Sequence, residues 1–170
     1  MQGNAISPAV IAILGADPAD FGTVPVGSNN SMIIAIQNTG GFNATVMSGG
    51  GLLAPFSFTG GSYPGGAGTC GVTINAGASC TIEVTFAPTA AVVSNDTIDI
   101  NYNNGVTGVT SSRDVTGTGI TPATLTISET NPYDYGLIAN GGVSSHNFVI
   151  TNSGASPATT VSEVGLALPF

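Results

Sequence analysis

Apolar and polar residues alternate with a two-residue period through much of this chain, in short runs broken by glycine, proline and asparagine. The clearest run covers residues 69–89, TCGVTINAGASCTIEVTFAPT, where Val72 and Ile74 alternate with polar neighbours, residues 75–79 interrupt, and Ile82, Val84 and Phe86 resume the pattern. That predicts a hairpin carrying Cys70 and Cys80. Earlier strands are predicted over residues 9–14, 31–38 and 44–48, with short motifs at Phe21-Gly22-Thr23-Val24 and Pro55-Phe56-Ser57-Phe58. Later strands are predicted over residues 96–102 and 113–119. About seven short strands with turn signals between them predict an all-β sandwich, with a core around Ile34, Ile36, Val84 and Phe86. The glycine-rich stretches 49–51 and 60–68 read as flexible connections: they lack the Gly-Lys-Ser/Thr ending of a phosphate loop and no helix follows them.

The pattern then repeats. Pro122 begins a second copy of the segment that starts at Pro8, and an ungapped offset of 114 residues holds to the end of the sequence. Under it Phe21-Gly22 falls on Tyr135-Gly136, Gly27 on Gly141, Asn38 on Asn152, Gly40 on Gly154, and Pro55-Phe56 on Pro169-Phe170. Roughly a third of the overlapped positions are identical, so one module has been duplicated in tandem. The expected organisation is a leader over residues 1–7, a complete sandwich over residues 8–121, and the N-terminal half of a second one over residues 122–170. Half a sandwich leaves an apolar face and strand edges to be covered. Two expectations follow: a fragment of a longer repeat protein, or a subunit whose residues 122–170 self-assemble by pairing with a strand of another chain.

Composition narrows the function classes. The chain has no lysine, one arginine (Arg113), nine carboxylates and a formal net charge of −8. Nucleic acid is excluded as a partner, because phosphate neutralisation needs clustered basic side chains, and anionic membrane surfaces are disfavoured for the same reason. No run has the apolar length of a membrane span, so direct membrane insertion is not expected. The start, MQGNAISP, lacks the basic and apolar regions of a signal peptide; if the protein is exported, its signal lies elsewhere or has been removed.

The two cysteines, ten positions apart with no histidine or cysteine cluster nearby, read as one structural disulfide, Cys70–Cys80, and not as metal ligands, with two free buried thiols as the alternative. A disulfide implies an oxidising compartment, hence a secreted, periplasmic or cell-surface location, of which extracellular or cell surface is the expectation.

The ordered set Phe21-Gly22, Gly27, Asn38-Thr39-Gly40, Pro55-Phe56, Cys70, Gly77, Cys80 and Val84-x-Phe86-x-Pro88 resembles the immunoglobulin-like repeats of bacterial choice-of-anchor D surface proteins, themselves close to the Hydin-type (ASH) domains. The resemblance covers residues 8–121 and the first half of a second copy. It implies a seven-stranded immunoglobulin-like Greek-key sandwich, used in tandem as a spacer, stalk or adhesive module, with neighbouring repeats or other surface proteins as partners. It implies no shared active site.

Candidate chemistry is sparse. His146, the only histidine, falls on the position of Met32 in the first copy, so it reads as strand surface and not as a catalytic base. Asp96 and Asp99 are three apart on one strand and so point to opposite faces, which argues against a glycosidase dyad. Calcium is the most reasonable ion, through the corresponding loops Asp17-Pro18-Ala19-Asp20 and Asn131-Pro132-Tyr133-Asp134, but two side-chain donors per loop are few and both sequences are ordinary turns. Phe42, Tyr63, Tyr102, Tyr133 and Tyr135 could stack on sugars only if they line one face. The expectation is therefore a non-catalytic structural or adhesive repeat without cofactor or metal; the alternatives are a filament subunit assembling by strand complementation and a carbohydrate-binding accessory module.

Overall fold

The computed structural model describes Gly3 and residues 5–165. They form two compact units, Met1–Ile120 and Thr121–Phe170.

Unit 1 is built from β1 (Ile11–Ile13), β2 (Ala19–Pro25), β3 (Asn30–Asn38), β4 (Ala44–Gly50), β5 (Phe56–Phe58), β6 (Thr73–Ile74), β7 (Ser79–Phe86), β8 (Val93–Asn103) and β9 (Gly108–Ile120). One sheet has the order β1-β3-β7-β5 and the other β2-β9-β8-β4-β6. All pairings are antiparallel except β2 with β9. Ile34, Ile36, Ile82, Val84 and Phe86 of the first sheet pack with Ile98, Ile100 and Val115 of the second, so the alternation in the sequence becomes one shared core. At its centre the Phe86 ring stacks on Phe56, centroids 4.8 Å apart, and Phe21 meets Phe56 edge-on at 5.5 Å. Gly117 lies under Phe86, where a Cβ would come within 2.7 Å of the ring.

Nine segments stand where about seven were expected. The chain changes sheets between β1 and β2, and β5 and β6 are only three and two residues long. The sheet change leaves carbonyls without ladder partners, and they must find others. The Arg113 guanidinium donates to the carbonyls of Ile13, Gly15 and Ala16, Ser111 Oγ donates to Ile11 O at 2.7 Å, and the Ile11 amide donates to Tyr102 Oη at 3.1 Å. The single cation of the chain is thus spent on backbone, holding a corner.

The predicted cysteine hairpin does not form as a ladder. β6 pairs with β4 in one sheet, Ala44 opposite Ile74, whereas β7 pairs with β3 and β5 in the other. Both arms bury the same alternate residues in one core, from opposite sides, so their periodicity is the same whichever sheet each joins. The turn between them is closed by the Ala78 amide donating to Asn75 O, with Gly77 at φ +74. Cys70 and Cys80 are joined by a disulfide, Cα atoms 4.9 Å apart, tying the chain before β6 to the start of β7.

The glycine-rich stretch 60–68, expected to be a flexible connection, is instead packed along the edge of β7. Thr59 N donates to Glu83 O, Glu83 N to Pro64 O, and Thr69 N to Thr81 O, which continues the pairing past the end of β5. Gly65 is required because a Cβ there would collide with the Glu83 carbonyl. Tyr63 folds back edge-on against Phe58, centroids 5.9 Å apart, and burial pushes its hydroxyl pKa up to about 12.

Unit 2 contains β10 (Leu125–Ile127) and β11 (Ile150–Asn152), paired antiparallel. Their register, Leu125 with Asn152 and Ile127 with Ile150, reproduces Ile11 with Asn38 and Ile13 with Ile36 at the offset of 114.

Candidate functional site

The feature that recurs most faithfully is a buried asparagine corner. Asn38 Oδ1 accepts the amides of Val10 (3.2 Å) and Gly40 (3.1 Å), and its Nδ2 donates to the carbonyls of Phe42 (2.8 Å) and Ile74 (3.1 Å). One side chain thereby joins the residue that leads into β1, the loop after β3, and β6. In unit 2, Asn152 Oδ1 accepts the amides of Thr124 (3.0 Å) and Gly154 (3.1 Å), and Nδ2 donates to Ser156 O (2.8 Å). Three of the four bonds recur at the same offset. Gly40 and Gly154 recur for a steric reason: a Cβ at either would strike the carbonyl of Pro8 or Pro122. Even a backbone irregularity is copied, since Val46 and Thr160 both have positive φ, 53° and 58°, Val46 at the bulge of β4. This corner is a structural device; its polar atoms are satisfied by backbone and leave none directed at a ligand.

The loops considered for calcium are turns of the same kind. Asp20 Oδ1 accepts the Gly22 amide and Asp134 Oδ1 the Gly136 amide, each at 2.8 Å, while Asp17 Oδ1 accepts the Asp114 amide. Among the described residues no three His, Cys, Asp or Glu side chains gather to hold a metal. Asp96 takes the Leu53 amide and Asp99 the Ser112 hydroxyl; each is engaged locally, on opposite faces of β8. Of the aromatics, Tyr102 is buried, Tyr63 packs on Phe58, and Phe42 sits over Gly105, so in unit 1 they do not form a row.

Unit 2 does bring chemistry-bearing side chains together. His146 stacks on Tyr133 (centroids 4.1 Å, planes 20° apart), Tyr133 meets Tyr135 and Phe148 edge-on at 5.0 and 5.4 Å, and Glu129 Oε1 lies 3.1 Å from His146 Nε2. Glu129 Oε1 and His146 Nε2 approach closely, with an alignment looser than that of an ideal hydrogen bond. His146 and Ser128 beside it hold the Glu129 carboxyl below the usual carboxylate range. Tyr133 Oη lies 3.0 Å from His146 Nδ1. The imidazole therefore sits between a carboxylate and a phenol, and among the described residues no serine, threonine or cysteine is placed as a nucleophile beside it. The sequence pattern puts His146 on a strand surface, but β11 begins only at Ile150 and His146 precedes it, and the pattern gives Glu129 no role. The available signal was the joint exchange of Gly15, Ala19 and Met32 for Glu129, Tyr133 and His146 between the copies.

The described residues include no helix long and apolar enough to cross a membrane. A comparison with curated protein sequences finds no match. Among solved structures, the chain is similar to the VesB protease of Vibrio cholerae (16% identity, TM-score 0.50, covering 65% of this chain and 32% of that one) and to a Porphyromonas gingivalis W83 protein of unknown function (15% identity, TM-score 0.50, covering 65% and 46%). It also aligns with an ASH/PapD-like domain of human CEP192 at 16% identity and TM-score 0.48, over 72% of this chain and 92% of that domain. This chain therefore spans about a third of VesB, and the likeness is one of fold, an immunoglobulin-like all-β sandwich. Residues 12–117, more than half of the sequence and nearly all of unit 1, match the family model of the HYDIN/CFA65/VesB-like Ig-like domain, and the chain belongs to that family.

Proposed function

We propose that this chain is a stretch of tandem immunoglobulin-like modules of the choice-of-anchor D type, from an exported cell-surface protein, acting as a non-catalytic spacer or interaction repeat. The observation that carries this reading is the repeated corner: strand register, asparagine bonds and glycine contacts recur at one offset, which is the mark of a module multiplied for its shape. The Cys70–Cys80 disulfide supports an oxidising compartment. The test is alkylation of the protein as recovered from its cells, before any reduction, followed by mass spectrometry. Export predicts that Cys70 and Cys80 resist alkylation until reductant is added; free thiols at both would overturn the surface assignment.

One observation favours a second reading, assembly by strand complementation: Leu125, Ile127 and Ile150 of the β10–β11 pair are exposed, and apolar strand faces recruit strands. Light scattering across concentration separates the two. A monomer at all concentrations supports the spacer; ordered multimers support complementation through residues 122–170.

A further inference from the structure

Unit 1 has an open groove of about 500 Å³ where the chain turns from β1 into β2 beside β3, with Leu14, Gly15, Ala19, Met32 and Ile34 among its walls and Asp20 at its rim. Its volume lies within the range of about 300–1,000 Å³ common to binding clefts. It is open because Gly15 and Ala19 bring almost no side-chain volume to it.

The second copy indicates what the space is suited to hold. At the offset of 114, Gly15 becomes Glu129, Ala19 becomes Tyr133, Met32 becomes His146 and Ile34 becomes Phe148. These larger side chains are the cluster described above, with the Tyr133 ring lying on His146 and against Phe148. One copy thus supplies its own aromatic ring at the position where the other has Ala19. The first copy keeps a wall suited to a ring, since a thioether such as Met32 and a branched aliphatic such as Ile34 both make favourable contact with aromatic faces and edges. The Asp20 carboxylate at the rim and the net charge of −8 disfavour an anionic occupant.

We propose that this groove of unit 1 is a docking site for a neutral or cationic aromatic side chain, of tyrosine size, presented by a partner protein. The inference goes beyond the spacer reading, which neither requires nor forbids it.

The test is a titration of the full chain, labelled at isoleucine δ1 and methionine methyls, with p-cresol, the tyrosine side chain as a free molecule. The expected result is a saturable shift of the Ile34 and Met32 methyls in the millimolar range, with Ile98 and Met47 unmoved. Installing the second copy's ring, Ala19→Tyr, should weaken the Ile34 response at least tenfold, whereas Met32→His, which supplies the surface on which Tyr133 lies in unit 2, should keep it. Ala19 also faces the core, so Leu14→Trp, which fills the groove from an exposed position of its wall, serves if the tyrosine variant fails to fold. Adding a carboxylate to the probe, as 4-hydroxyphenylacetate, should weaken binding at least threefold. An Ile34 methyl that stays unmoved to the solubility limit, or that responds equally in the filled variants, overturns the site; equal binding of the carboxylate probe overturns its charge preference.

Discussion

The two copies share a corner and differ in what covers it. Ile13 and Ile36 are 6% and 0% exposed in unit 1, whereas their counterparts Ile127 and Ile150, paired in the same register, are 61% and 55% exposed. The strand pair and its asparagine corner therefore follow from local sequence, while burial comes from the second sheet and from β7. Pairing and packing are separable here: the module's shape is written locally, and most of its stability comes from elements distant in sequence.

The largest expected difference between the copies is in the core. Ile36→Ala should cost about 2–5 kcal/mol in urea unfolding, because it opens a cavity in a closed core, and Ile150→Ala less than about 1 kcal/mol. Equal costs would mean that unit 2 has a covered core as well.

Next is the asparagine. Asn38→Ala leaves two amides and two carbonyls without their partner in a buried place and should cost about 2–4 kcal/mol, against about 1 kcal/mol for Asn152→Ala in its more open setting.

Reduction of Cys70–Cys80, or Cys70→Ser with Cys80→Ser, should remove about 2–3 kcal/mol from unit 1, seen as a lowered Tm with reductant, and leave unit 2 unmoved.

The smallest effect belongs to the side chains present in one copy only. Glu129 titrates below its ordinary range because His146 and Ser128 stabilise its charged form. The folded value is depressed, so this contribution is present above the ordinary carboxylate pKa of about 4.3 and is lost as pH falls through the lower folded value. His146→Phe should move the Glu129 midpoint, followed by carboxyl NMR, back up toward the ordinary value. An unmoved midpoint would mean that His146 does not act on the carboxylate.

Much of unit 1 was legible in the sequence because strand alternation and turn residues are local signals. Ile34, Ile36, Val84 and Phe86 lie in the core as the pattern implies, and β10 and β11 fall within the counterparts of residues 9–14 and 31–38 at the offset of 114, although β11 is shorter than its counterpart. Sheet membership was not legible: Ile74 and Ile82 alternate alike although β6 and β7 lie in opposite sheets, since period two reports which face is buried and not which strand is the neighbour. Nor was the role of Gly65, whose closeness to Glu83 depends on a tertiary approach. The Glu129, Tyr133 and His146 cluster was half legible, visible as three coordinated exchanges between copies but not as a contact.

One local fold is written twice in this chain, covered by a second sheet in unit 1 and, among the described residues, left exposed in unit 2. Hydrogen exchange of the β3 and β11 amides in the full chain separates the two. Ile36 and its neighbours are expected to exchange only through global unfolding of unit 1, while Ile150 and Asn152, paired in the same register, exchange orders of magnitude faster. Equal protection in the two strands would overturn this reading.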